Sequence, residues 1–307
     1  EGIVVSVFER VRKEFVGNLR IDGGNCFMTP DNSRVGTDFY IPKDKLNGAK
    51  NNDKVLVNIL DWPKRAKSPF AEVSKIIGKA GEHHAEIHAI LTEYGLPYEF
   101  PKSVEAYVAS ISEEISEKEI SKRRDMRKVL TFTIDPHDAK DFDDALSIEQ
   151  ISEDEWEIGI HIADVSHYVK EGTVLNDEAY ERATSVYLVD RVVPMLPEKL
   201  SNKVCSLRPH EEKLCFSAVF KMNRKAEILE EWFGRTVIYS DHRFTYEDAQ
   251  DVIEKKQGKF VDEILLMDQL AKKMRAKRIK EGAITFDRVE VKFRLDHDNN
   301  PSGVYFK

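Results

Sequence analysis

Apolar positions in the first eighty residues recur in short runs broken by polar residues, without helical spacing. Residues 3–8, 15–21, 26–29, 39–42 and 55–60 each read as a strand, separated by turn signals at Gly23-Gly24, Pro30-Asp31 and Asn47-Gly48. Strands this short and this closely spaced predict a small barrel over residues 1–79, with 71–77 as its last strand after the basic, proline-bounded loop 62–69. The pattern turns helical at 82–94, and 104–126 is charge-rich with apolar residues at roughly helical spacing, so 80–129 predicts a helical connector. Strand patterns return at 130–134, 145–149, 156–165, 186–189, 214–223 and 228–240, with a helix at 176–184. Thr245 and Asp248 have the spacing of a capping box that opens a helix to about Lys256, and 260–280 reads as a long amphipathic helix closed by Gly282. Further strands are expected at 284–295 and 304–306. Residues 130–307 thus predict a second, mixed body, and the whole an α+β chain.

Composition narrows the class. With 41% hydrophobic and 33% charged residues, the 307-residue chain has material for real cores, which excludes global disorder. No run of about 18 apolar residues occurs, and the first ten residues lack the basic start and apolar centre of a secretion signal. A soluble, cytoplasmic protein is the expectation. A first residue of Glu rather than Met suggests a piece of something longer. Cys26, Cys205 and Cys215 form no paired motif and read as buried, reduced thiols. The net charge of −8 is uneven: residues 1–79 hold 14 Lys/Arg against 10 Asp/Glu, while the rest is strongly acidic. That division suits one part that tracks phosphates and another that holds a cation with carboxylates.

The acidity concentrates in Asp135-Pro-His-Asp-Ala-Lys-Asp-Phe-Asp-Asp144, five acids and one lysine between apolar strands. Two like charges ~4 Å apart at an effective dielectric near 20 repel by about 4 kcal/mol, so a cation is expected among them. Oxygen ligands of this kind favour Mg²⁺ or Mn²⁺ over zinc. An EF-hand fails on spacing: counted from Asp141, Leu146 stands where the turn glycine belongs and Ser152 where the bidentate Glu belongs. A solvated acidic loop and a metal-assisted phosphodiester hydrolase remain open from the residues alone.

Thr133-Ile-Asp-Pro-His-Asp-Ala-Lys-Asp-Phe-Asp-Asp-Ala145, His161-Ile-Ala-Asp-Val-Ser-His167, Thr184-Ser-Val-Tyr-Leu188, Val193-Pro-Met-Leu-Pro-Glu198 and Leu200-Ser-Asn-Lys-Val-Cys-Ser-Leu207 together resemble the ribonuclease II/ribonuclease R (RNB) family. Residues 1–79 are similar to that family's second cold-shock domain, a five-stranded barrel of oligonucleotide-binding fold, through Val16–Arg20, Gly24–Met28, Thr37–Ile41 and Gly48–Lys54. Residues 130–307 are similar to the first part of its mixed α/β catalytic domain. The resemblance implies processive, Mg²⁺-dependent hydrolysis of RNA from the 3′ end to 5′-mononucleotides, on single strands or 3′ overhangs. It implies that Asp135, Asp141, Asp143 and Asp144 are catalytic, with Asp135 and Asp144 as metal ligands. Asp143 would hold the terminal ribose and is a candidate ligand for a second metal. Tyr187 and Phe286 would clamp the last bases, although pattern alone reads both as core residues. Phe27 and Phe39 are candidates for a base platform on the barrel, with Arg20, Lys43 and Lys50 near the backbone, and Arg208 for a phosphate contact. Core positions for Phe27 and Phe39 are the alternative. The resemblance also implies a missing downstream arginine-rich segment and glutamate, so residues 1–307 alone are expected to bind RNA weakly and cleave little. A catalytically silent RNA-binding relative is the competing function.

Two weaker signals remain. His84 and His88 are four apart on a helix, a metal-competent spacing with no third ligand nearby, and a surface helix is the expectation. His161, Asp164 and His167 fit a buried, satisfied hydrogen-bond network better than direct chemistry.

Overall fold

The structure is a computed structural model that describes residues 12–63, 65–286, 289–297 and 300–306. The strand expected at 3–8 lies outside the described residues. Five strands, β1 (Glu14–Asp22), β2 (Asn25–Pro30), β3 (Phe39–Tyr40), β4 (Asp53–Asp61) and β5 (Phe70–Lys79), close a barrel in the order β1-β2-β3-β5-β4. The β1-β2 hairpin turns on Gly23 and Gly24, both at positive φ, which fits a tight turn to the twist of the strands. Leu19, Met28, Phe39, Ile41, Val55, Val57, Ala71 and Val73 fill the interior.

The stretch expected as a connector divides. Helix α1 (His83–Glu93) belongs with the barrel, burying Ala85, Ile87, Ala89 and Leu91. Buried Lys54 ties it down, reaching Asp31 at 2.9 Å and Glu86 at 2.8 Å. Helices α2 (Lys102–Ser110) and α3 (Glu117–Ile120) and strand β6 (Arg124–Asp125) belong to the second unit, so the continuous helical pattern at 104–126 is broken in fact.

That unit is built on a sheet of β6, β7 (Leu130–Asp135), β8 (Asp144–Ser152), β9 (Glu155–Ala163) and three later strands. Between β9 and those strands run α4 (Val165–Tyr168), α5 (Val174–Arg182) and the two-residue strands β10 (Val186–Tyr187) and β11 (Val192–Val193). Then come β12 (Glu212–Asn223), β13 (Ile228–Tyr239) and β14 (His242–Thr245), giving the sheet order β14-β7-β8-β9-β12-β13-β6. Thr245 caps α6 (Tyr246–Lys255) with the reciprocal bonds to Asp248 that the sequence predicts. Helix α7 (Val261–Lys280) is next, then β15 (Val291–Leu295) and β16 (Pro301–Phe306). Residues 283–286, expected to lead into a strand, are irregular. One core cluster joins Phe142, Ala145, Ala163, Leu207, Cys215 and Val219, and a second joins Phe132, Phe244, Val252 and Ile264. All three cysteines are free and buried, and burial pushes the Cys205 thiol up to about 12. No helix of the described residues is long and apolar enough to cross a membrane.

Candidate carboxylate centre and nucleic-acid face

Strands β7 and β8 pair antiparallel, and the acidic segment is the loop that joins them. Asp135 closes β7 and Asp144 opens β8, with Asp138, Asp141 and Asp143 on the connection. Why so repulsive a loop stays ordered is answered by its backbone. Phe142 is buried and packs into the core cluster. The buried Ser206 hydroxyl accepts the Phe142 N–H at 3.0 Å and donates to the Lys140 carbonyl at 3.2 Å. The Leu207 N–H donates to the Phe142 carbonyl at 2.8 Å, and the Ala163 N–H to the Asp143 carbonyl at 3.1 Å. On the other side, Arg243 of β14 donates to the carbonyls of Pro136 at 2.5 Å and His137 at 2.9 Å. With Phe142 turned inward and Asp141 and Asp143 on either side of it, the anchor fixes where the carboxyls stand.

The carboxyls differ in setting. Asp135 is buried, and its Oδ2 has no hydrogen-bond partner. Burial pushes its carboxyl up, the Thr133 hydroxyl and Arg243 oppose the shift, and Asp144 and Asp141 add to it. Asp143 is exposed, yet its carboxyl is also raised, by the protein packed around it and then by Asp141, Asp144 and Asp135. Asp144 is exposed. Asp141 accepts the Tyr187 hydroxyl at 3.2 Å.

Among the described residues, no three His, Cys, Asp or Glu side chains converge as a complete metal cage. Mg²⁺ does not require one, since it is commonly held by one or two carboxylates, waters and substrate phosphate. An orphaned, buried carboxylate oxygen beside further carboxylates fits such a cation, because an unpaired buried anion is otherwise costly.

Tyr187 and Phe286 are 67% and 81% exposed in this chain. Both offer a ring to solvent. Arg208 is half-exposed, lies 3.7 Å from Glu211 and donates to the Asn202 carbonyl at 3.3 Å.

On the barrel the structure separates the two candidate phenylalanines. Phe39 is fully buried, 4.9 Å from Phe15 centroid to centroid, and cannot serve as a base platform. Phe27 faces outward. It meets Tyr40 edge-on at 5.5 Å, and Tyr40 meets Phe70 at 5.3 Å, so three aromatics form a row across β2, β3 and β5. Arg20 stands opposite Phe27 in the β1-β2 register, and Arg20, Lys43 and Lys50 are all exposed. Sequence reasoning missed Tyr40 and Phe70, although the adjacent Phe39-Tyr40 pair had to place one ring on each face of a strand.

The four histidines singled out in the sequence make contacts within the fold. His161 is fully buried with one ring nitrogen 2.7 Å from Ser217 and the other 2.8 Å from Ser147, and Gly159 leaves the room its ring needs. Burial lowers it to about 4, keeping the ring neutral. Asp164 pairs with the buried Arg123 at 2.8 Å, and His167 lies 3.3 Å from the same guanidinium. His84 and His88 stack on each other at 4.3 Å, and Arg191 donates to His88 Nε2 at 3.4 Å, a cation where a metal would have to sit.

Comparison with known proteins accords with this geometry. A family model for the RNB domain matches residues 123–306, and one for a cold shock domain matches 27–101. Ribonuclease R of Thermotoga maritima is 38% identical over 97% of the chain, which covers 43% of that protein. The solved structure of Mycoplasma genitalium RNase R in complex with double-stranded RNA superposes with a TM-score of 0.91 at 25% identity, covering 99% of this chain and 55% of that one. Yeast Ssd1, a pseudonuclease, shares the fold at a TM-score of 0.70 and 20% identity, over 92% of this chain and 36% of that one. The chain spans less than half the length of the curated relatives it matches.

Proposed function

The chain belongs to the RNB family, and from that premise we propose that it carries the carboxylate centre of a cytoplasmic, processive 3′-to-5′ exoribonuclease that releases 5′-mononucleotides. The observation that carries this reading is the acidic loop itself: four carboxyls at adjoining strand ends, one buried with an orphaned oxygen, on a backbone anchored from both sides. Carboxyls at this range repel one another, and a shared cation would relieve that repulsion.

In this reading Asp135 and Asp144 hold Mg²⁺, with Mn²⁺ a substitute. When bound, the metal polarises the terminal phosphodiester and lowers the pKa of an attacking water. Asp143 faces solvent at the end of the loop, suited to the terminal ribose. Asp141 accepts the Tyr187 hydroxyl, the exposed Tyr187 ring supplies a stacking surface for the last base, and Phe286 offers a second. Stacking grips any base by its π-face, worth ~1–3 kcal/mol per base, as a sequence-tolerant nuclease needs. The aromatic row Phe27-Tyr40-Phe70 with Arg20, Lys43 and Lys50 supplies a place for single-stranded RNA on the barrel.

The test is 3′-end degradation of a uniformly labelled single-stranded RNA by the native protein. Mononucleotide release that requires Mg²⁺ and disappears in Asp143→Asn, with RNA affinity nearly unchanged, supports the proposal. Tight RNA binding with no release under Mg²⁺ or Mn²⁺ assigns the chain to the silent class instead.

A further inference from the structure

Helix α7 changes character halfway. Its first half buries Ile264 and Leu270, whereas every residue from 271 to 280 is exposed. Those ten residues contain Lys272, Lys273, Arg275, Lys277, Arg278 and Lys280 and no acid, in a chain whose net charge is −8. Lys272 pairs with Asp268 at 2.7 Å, and Lys273 donates to the Arg224 carbonyl at 2.5 Å. The side chains of Arg275, Lys277, Arg278 and Lys280 have no ion-pair or hydrogen-bond partner among the described residues.

The helix dipole accounts for some of this charge, since cations are favoured at a C-terminus, but only within the last turn. Arg275 and the two lysines before it lie outside that turn. Spacing works against the arrangement: Lys272 and Arg275, Arg275 and Arg278, and Lys277 and Lys280 are three apart, while Lys273 and Lys277 are four apart, so like charges are neighbours on the surface. A helix end with six cations among ten exposed residues, set at self-repelling spacing around Met274 and Ile279, suits an anion.

The residues just beyond the helix indicate which one. The helix ends at Gly282, whose positive φ turns the backbone, and four residues later comes the exposed ring of Phe286. A row of cations leading into an exposed aromatic is the combination that single-strand binders use, charge for the phosphates and a ring for the bases.

We propose that residues 272–280 of α7 form a phosphate-tracking surface for single-stranded RNA, guiding the strand to Phe286. This rests on the exoribonuclease reading for the identity of the ligand and adds a binding element that the carboxylate centre does not require.

The test compares the chain with its R275Q/K277Q/R278Q/K280Q variant. Glutamine keeps helix propensity close to that of the residues it replaces. Binding of a fluorescein-labelled oligoadenylate is measured by anisotropy across a salt series, in EDTA to prevent cleavage. Each phosphate contact to a single strand contributes ~0.7 to the logarithmic salt slope, so losing four flattens it by about 3. Over a fourfold rise in salt the wild type then loses roughly fiftyfold more affinity than the variant. An unchanged slope, with helix content intact by circular dichroism, overturns the proposal while leaving the exoribonuclease reading standing. A wild type that binds no RNA even at low salt overturns both. An unchanged slope with a loss of self-association in sedimentation assigns the helix end to a second copy of the chain, and also overturns it.

Discussion

Replacing Ser206 by Ala removes one oxygen and tests whether the carboxylate loop is held by its backbone. Ser206 is fully buried, and its hydroxyl serves two backbone groups, the Phe142 N–H at 3.0 Å and the Lys140 carbonyl at 3.2 Å. The Phe142 N–H is buried and loses its partner outright, a penalty of ~1–3 kcal/mol. The Lys140 carbonyl is only partly buried, so water replaces much of its bond and the further loss is ~0.5 kcal/mol. The deleted atom leaves a void too small for water, which adds little. The expected destabilisation is therefore about 1.5–3.5 kcal/mol, read as a lower urea midpoint at unchanged denaturant slope. Phe142 stands between Asp141 and Asp143, so loosening it also spreads the carboxyls. Supporting residues around metal ligands typically account for ~10–100-fold in affinity, and Mn²⁺ binding by titration calorimetry should weaken by that order. A loss below ~0.5 kcal/mol together with unchanged Mn²⁺ affinity would refute the anchoring argument.

The same contacts set further expectations. Asp143→Asn should stabilise the metal-free chain at pH 7. A carboxyl raised in the fold favours the protonated state, so its penalty sets in as pH rises past the unfolded value of ~3.9 and persists above the folded one; a variant less stable than wild type at pH 7 contradicts this. His161 carries the opposite dependence: lowered to about 4 by burial, it withdraws about 3 kcal/mol of stability as pH falls from ~6.5 through 4. His161→Gln should remove that part of the acid sensitivity in paired urea titrations, and identical pH profiles would count against it. Tyr187→Phe keeps the ring and frees Asp141, so the limit oligonucleotide should keep its length, while Tyr187→Ala should lengthen it; equal products from both variants would return Tyr187 to a structural role.

The acidic loop was legible because charge density survives any choice of fold: five aspartates in ten residues between apolar strands have few destinations. The barrel was legible for a similar reason, its turns being written in Gly23-Gly24 and Asn47-Gly48. What sequence hid was register. Phe39 and Tyr40 are adjacent aromatics on a two-residue strand, and only the pairing of Tyr40 with Phe27 and Phe70 decides which ring enters the core. Ser206 and Arg243 were invisible because they act on backbone groups far away in sequence, and no residue type announces that. The break in 104–126 was missed because apolar spacing persists across α2, α3 and β6, while the chain reverses at positions that carry no glycine.

The anchoring of Phe142 has an evolutionary consequence. Most contacts that shape the loop pass through its backbone and one aromatic ring, whereas the Asp135 and Asp143 carboxyls are held against burial and mutual repulsion. Shape and chemistry are therefore inherited separately. A lineage that loses the acids keeps the architecture and gains stability, so the descent from nuclease to inert binder runs downhill and needs no intermediate that misfolds. The reverse path is uphill where Asp135 and Asp143 are restored, and selection for turnover is what holds them in place.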